Sequence, residues 1–284
     1  MPTVDDWIVR GSEALELFGN SHTPDGQARA CALLLHGYFG YKDYGFIPVL
    51  AERLCERGVI VHRFNFAHSG MTNVIERFER PDLFKRQTWN AQVYDTLCVL
   101  NAVRQNRLPG AEKPILLIGH SRGGVTAILT AGRHAQSVKL AGVVTLAAPS
   151  ACSSLPEQVA RQWLQTGSLD VTSNRTGQTM PISSTWLEEQ IADPEGHDVL
   201  GQAARIACPL LCVHGQDDVS VPPSHAERIV AAAAPRARLA LIDGANHVFN
   251  MPNPPDPAAG DSDSFVAMTR VVAGLIDACV DHRA

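Results

Sequence analysis

No apolar run in this chain is long enough to cross a bilayer, which takes ~18 or more consecutive residues. The longest candidate, Val138 to Ala148, is interrupted by Lys139 and Gly142 and stops at Pro149. Membrane insertion is therefore not expected. The N-terminus, Met-Pro-Thr-Val-Asp-Asp-Trp, lacks both the basic and the apolar stretch of a secretory signal. A cytoplasmic location is the default expectation. Basic clusters are missing too, and the formal net charge is -5. Nucleic acid and anionic membranes thus have no electrostatic footing. There is no internal repeat and no low-complexity tract. The seven cysteines are scattered and mostly sit in apolar surroundings, as in Ala30-Cys31-Ala32-Leu33. They read as buried thiols of a reducing compartment. Cys208 and Cys212 are four apart, but no second Cys or His pair at zinc spacing accompanies them. No metal site is expected.

What is present is an ordinary globular composition, with 284 residues, 45% apolar and 19% charged, enough to bury a substantial core. Strand-like and helix-like segments alternate, which points to an α/β fold with a mostly parallel sheet flanked by helices. Residues 7–19 read as one or two edge strands. Further strands are expected at Ala30–Leu35, Val59–Phe64, Ile115–Ile118, Leu140–Leu146, Pro209–Val213 and Arg238–Ile242. Helical spacing covers 44–57, 89–107, Val125–His134, Ser224–Ala234 and Ser264–Val280. Residues 65–88 read as loop. The stretch 150–205 changes character: it is rich in Ser, Thr and Gln, holds short helical pieces and shows no clear strand. The expected organisation is one core made of 1–149 and 206–284, with a lid inserted at 150–205.

The chemistry centres on Gly119-His120-Ser121-Arg122-Gly123. The bare Gly-x-Ser-x-Gly pattern is weak, but its setting is informative. It directly follows the apolar strand and directly precedes a helical run, where a sharp turn projects the hydroxyl above the sheet edge. The two glycines suit the close passage of strand and helix. Serine is a poor nucleophile until a base takes its proton, and histidine is matched to neutral pH. Residues that suit an acid and a base follow in the order Asp, then His, each on a loop after a strand. Asp218 lies in His214-Gly215-Gln216-Asp217-Asp218, and His247 in Asp243-Gly244-Ala245-Asn246-His247. Asp217 and Asp243 remain alternatives to Asp218. Acyl transfer also needs donors for the oxyanion. The backbone N–H of Arg122 and that of Tyr38, in His36-Gly37-Tyr38-Phe39-Gly40, are the candidates.

These residues resemble the α/β-hydrolase superfamily from about Ala30 to the end. The shared motifs are Leu-Leu-Leu-His-Gly, Gly-His-Ser-Arg-Gly-Gly, His-Gly-Gln-Asp-Asp-Val-Ser-Val-Pro and Gly-Ala-Asn-His, in the family's order. The elbow and the mixed lid look similar to bacterial carboxylesterases, including the cinnamoyl or feruloyl esterase and dienelactone-hydrolase-like groups. The oxyanion segment lacks the three-glycine run of hormone-sensitive-lipase-like esterases. The resemblance implies an α/β-hydrolase fold and a serine hydrolase acting without cofactor on a small-molecule ester of a small acyl or aromatic acid. A thioesterase, a carbon–carbon bond hydrolase or lyase, and a non-catalytic binding protein are the alternatives. In the lid, Trp163, Met180, Trp186 and Leu187 either wall an acyl pocket or anchor the lid. Arg175 either meets a substrate carboxylate or phenol or serves as a loop ion-pair partner. His68, in the segment Asn65 to Gly70, reads as structural. The oligomeric state is not set by the sequence, and a homodimer stays open.

Overall fold

Both faces of the strand β3 (Ala30–Leu35) are apolar, so it must be covered on both sides. The computed structural model, which describes residues 2–72 and 74–281, does this with helices. Ala30, Ala32 and Leu34 point into one core cluster, and Cys31, Leu33 and Leu35 into the other. The first face is closed by α1 (Ile47–Cys55) and the last helix, through Leu50, Leu54, Phe265, Met268, Val272 and Ile276. The second is closed by helices that follow later strands, through Val93, Leu100, Val125, Ile128 and Ile229.

In chain order the other sheet strands are β1 (Thr3–Arg10), β2 (Glu16–Thr23), β4 (Val59–Phe64), β5 (Ile115–His120), β6 (Gly142–Leu146), β9 (Leu210–Gly215) and β10 (Ala237–Ile242). The order across the sheet is β1-β2-β4-β3-β5-β6-β9-β10. Pairing from β4 to β10 is parallel, while β1 and β2 run antiparallel along one edge. The helices between them are α2 (Pro81–Lys85), α3 (Trp89–Arg104), α4 (Arg122–Arg133) and α8 (Ser224–Ala233), and α9 (Asp263–Asp281) closes the chain. β3 has β4 on one side and β5 on the other, so the loops leaving β3 and β5 diverge to opposite faces. Crevices of this kind, at the carboxyl ends of strands, are where α/β folds bind ligands.

The stretch between β6 and β9 departs from the expectation of no strand. It holds α5 (Glu157–Thr166), a hairpin of β7 (Ser168–Thr172) and β8 (Thr179–Ser183), then α6 (Thr185–Ala192) and α7 (Val199–Arg205). The hairpin forms because apolar residues face each other across it: Leu169 opposes Ile182 and Val171 opposes Met180. With Trp163, Leu187, Tyr41, Phe78 and Phe84 this side builds a third apolar cluster. At its far end α7 packs on α4 and α8, in the helical layer of the body. Two smaller departures concern the loop expected at 65–88, which contains the short α2, and α4, which starts at Arg122 rather than Val125. No helix among the described residues is long and apolar enough to cross a membrane.

Candidate active site

Ser121 is the hinge between β5 and α4. Its backbone sits at φ 51°, ψ -120°, a region that L-residues rarely adopt. Such strain persists only where the surroundings enforce it. Here Ser121 N–H donates to the carbonyl of Leu146 at 2.7 Å. The two flanking glycines are sterically required. A Cβ on Gly119 would stand 2.1 Å from the Gly123 carbonyl oxygen, and one on Gly123 would stand 2.2 Å from that of Leu35. The strand-to-helix crossing is thus too tight for any side chain.

Asp218 and His247 come from the loops after β9 and β10. Asp218 is buried and its Oδ2 accepts the Nδ1–H of His247 at 2.7 Å. A carboxylate only accepts, so the proton on His247 sits at Nδ1 and leaves Nε2 as the basic nitrogen. The turn that follows Asp218 supplies its other oxygen, Oδ1, with the N–H groups of Ser220 and Val221, both at 2.9 Å. Burial opposes the charge of Asp218, but hydrogen bonds from His214, His247 and Val221 outweigh it and hold the carboxyl well below the usual range. Asp217 and Asp243, the alternatives, are both exposed.

The loop of His247 is stitched to the elbow. His120, the residue before Ser121, donates its Nε2–H to the His247 carbonyl at 2.9 Å, and the two rings lie 4.9 Å apart. His120 is buried, and burial lowers its pKa to about 3. It therefore stays an uncharged spacer. On the other side the loop after β3 passes close by: a Cβ on Gly37 would lie 3.1 Å from Ser121 Cβ. Among the described residues no acceptor takes the backbone N–H of Tyr38 or of Arg122.

A cavity of about 340 Å³ opens beside Ser121. Tyr38, Trp89, Arg122, Trp163 and Trp186 form one part of its wall, Leu155, Leu169, Val171 and Ile182 much of the apolar remainder, and Ser153 and Ser154 a polar stretch. Of the residues singled out in the lid, Trp163 and Trp186 line it. Their rings stack at 5.3 Å and 17°. Met180 is buried in the adjoining cluster and does not line the cavity. Arg175 is placed elsewhere. It donates to the Ile75 carbonyl and lies over the rings of Tyr41 and Phe78 at 4.9 and 5.0 Å. Its partners are thus a carbonyl, the Met71 sulfur and aromatic faces, not an acid. Two hollows of about 410 and 380 Å³ lie elsewhere, one at the amino ends of β9 and β10 and one beside β2. Neither contains Ser121, Asp218 or His247.

Three features of the site are absent from the sequence reading. Trp89 enters the wall from α3. Arg122 is buried under it, with its guanidinium 4.5 Å from the Trp89 ring centre, 5.6 Å from Tyr38 and 5.8 Å from Trp186. It donates to Gln87 at 2.7 Å and to Gln92 at 3.3 Å, and burial pulls its pKa down to about 10. Glu189 of α6 reaches across to accept the N–H of Trp89 at 2.5 Å, capping α3 from outside. Only Gly-x-Ser-x-Gly marked Arg122 beforehand, and then for its backbone. Among the described residues no group of three or more His, Cys, Asp or Glu is arranged to hold a metal ion.

Residues 32–260 match the Alpha/beta hydrolase family, and the chain belongs to it. By family it is a hydrolase. Solved structures with the same fold include Est1E from Butyrivibrio proteoclasticus, 16% identical over 97% of this chain and 99% of that one, TM-score 0.70. Dienelactone hydrolase from Anabaena variabilis is 16% identical over 96% of each chain, TM-score 0.62. The alpha/beta hydrolase GrgF from a Penicillium species is 15% identical over 98% of this chain and 99% of that one, TM-score 0.75. Est1E has also been solved with ferulic acid bound. No curated protein matches the chain.

Proposed function

We propose that the protein hydrolyses carboxylic esters with Ser121 as nucleophile, His247 as general base and acid, and Asp218 as the group that orients His247. The observation that carries this reading is the 2.7 Å hydrogen bond from His247 Nδ1 to Asp218, on a loop tied to the residue next to Ser121. It leaves Nε2 of His247 unprotonated. In the first step Nε2 takes the Ser121 proton as Oγ attacks the acyl carbon. The carbonyl oxygen becomes negative and is held by the Tyr38 and Arg122 N–H groups. His247 then gives its proton to the leaving alcohol as the ester bond breaks. In the second step a water molecule, deprotonated by the same nitrogen, attacks the acyl-enzyme and releases the acid. Asp218 stays ionised throughout and stabilises the imidazolium.

The aromatic and aliphatic cavity wall suits an ester whose acid part is apolar or aromatic. A feruloyl-type acid is in keeping with the ferulic acid bound by Est1E. We read residues 150–205 as the lid that shapes this pocket, and the seven thiols as fitting a cytoplasmic setting. A panel of p-nitrophenyl esters, from acetate to long chains plus a cinnamate, tests the reading against Ser121→Ala. The expected loss in the variant is on the order of 10⁶-fold in kcat. Labelling of Ser121 by a fluorophosphonate without ester turnover moves the reading to carbon–carbon bond hydrolysis. Neither labelling nor turnover makes the protein a binding module.

A further inference from the structure

The mechanism above uses His247 and leaves a second histidine beside the same acid unexplained. His214, near the end of β9, is fully buried. Its Nε2 lies 2.8 Å from the carbonyl oxygen of Val221 and 3.3 Å from Oδ2 of Asp218. Both are acceptors, so Nε2 carries the proton and shares it between them. On the other side of the ring Nδ1 is buried and, among the described residues, makes no hydrogen bond. A leucine would fill this space with no dry polar atom. A buried unsatisfied nitrogen asks for a compensating role. The other nitrogen points to one, because it reaches the carboxylate oxygen that His247 also uses.

We propose that His214 is a positioning residue for the Ser121–His247–Asp218 triad, acting on His247 through Asp218. The inference rests on the triad reading above. The N–H of His214 holds Oδ2 in place and takes a share of the carboxylate's charge. Asp218 then accepts two ring N–H groups at Oδ2 and two backbone N–H groups at Oδ1, which leaves the carboxylate little freedom to turn. Charge taken by His214 is not available to stabilise a protonated His247. Removing the donor should therefore favour the imidazolium and move the acid limb of activity upward. The groups facing His214 are Asp218 and His247 from the loops, His120 from β5, and His225 from α8 with Arg228 beside it.

The test compares wild type, His214→Leu and His214→Gln, whose amide N–H reaches about as far as Nε2. The pH profile of fluorophosphonate labelling of Ser121 is measured alongside that of p-nitrophenyl ester kcat/KM. In the leucine variant we expect the acid-limb midpoint to rise by about half a pH unit, with a fall in rate of up to about threefold on that limb. Glutamine should restore most of both. In wild type, ¹⁵N NMR should show the His214 proton on Nε2, a readout that needs no variant to fold. A midpoint unmoved in both variants, or a His214 proton on Nδ1, overturns the inference while leaving the triad intact. Wild-type protein that neither labels nor turns over ester overturns the triad reading, and this one with it.

Discussion

The two sides of the site are held by different forces. On the side of Asp218 and His247, short loops after parallel strands fix each group by hydrogen bonds, and every oxygen of the carboxylate is used. On the side of the β6–β9 insertion, rings stack on rings and on a buried guanidinium. There the indole N–H groups of Trp89 and Trp186 and the Nη2 of Arg122 are buried and, among the described residues, make no hydrogen bond. Directional bonds set atoms to within tenths of an ångström, while apolar packing sets a volume and tolerates repacking. Substitutions should therefore cost reaction rate on the first side and selectivity on the second.

After the loss of the nucleophile itself, the largest expected effect tests the first half of that contrast. Asp218→Asn should lower kcat on a p-nitrophenyl ester by roughly 10⁴-fold, because an amide cannot both accept from Nδ1 and stabilise the imidazolium. Stopped-flow turnover of the purified variant reads this directly, and a loss under tenfold removes Asp218 from its role.

Acid should act next. Burial lowers the pKa of His22, His36 and His62 to about 4 and that of His120 to about 3. In the unfolded chain these groups titrate near ~6.5. The folded form thus binds fewer protons between those values. Stability is fully present above about pH 6.5 and is lost as pH falls toward 4, by up to ~1.4 kcal/mol per unit for each histidine. Urea unfolding midpoints at pH 7, 6 and 5 should fall in that order. A flat series contradicts the burial of these rings.

Gly123→Ala probes the elbow. Its Cβ would meet backbone, not a flexible side chain, 2.2 Å away. A stability loss above about 3 kcal/mol is expected, with Ser121 labelling lost in whatever folds. Trp186→Ala, on the insertion side, should be milder: kcat/KM on a cinnamate ester down about 10- to 100-fold, with acetate changed only a few-fold. Equal losses on both esters would erase the contrast drawn above. The smallest effect belongs to Glu189→Gln, which keeps shape and removes charge at the start of α3. About 1 kcal/mol of stability should go, read as a shift in Tm.

The sheet and its loops were legible in the sequence for one physical reason. A buried parallel strand is a short apolar run, and its end is where the chain must turn. Leu33-Leu34-Leu35, Ile115 to Ile118 and Leu210 to Val213 announce themselves this way, and Ser121, Asp218 and His247 follow from the turns after strands. Turn position in the sequence favours Asp218 over Asp217, and the turn buries the first and exposes the second. The cavity wall was less legible. Leu169 and Val171 alternate with polar neighbours and look like loop until Ile182 and Met180 are set opposite them. Trp89 reads as an ordinary helix start, since nothing in its neighbours ties it to a serine 32 residues later. Arg175 invited a substrate role because an unmatched charge stands out in sequence, whereas aromatic faces can satisfy it in space. His214 was visible only as part of a motif, because its value lies in which oxygen it touches.

The cap that Glu189 places on α3 limits how the entrance can work. A segment whose carboxylate is bound to the amino end of a body helix is moored at that point, not free to swing as a flap. Loosening that mooring should also free Trp89 from the wall it helps to form.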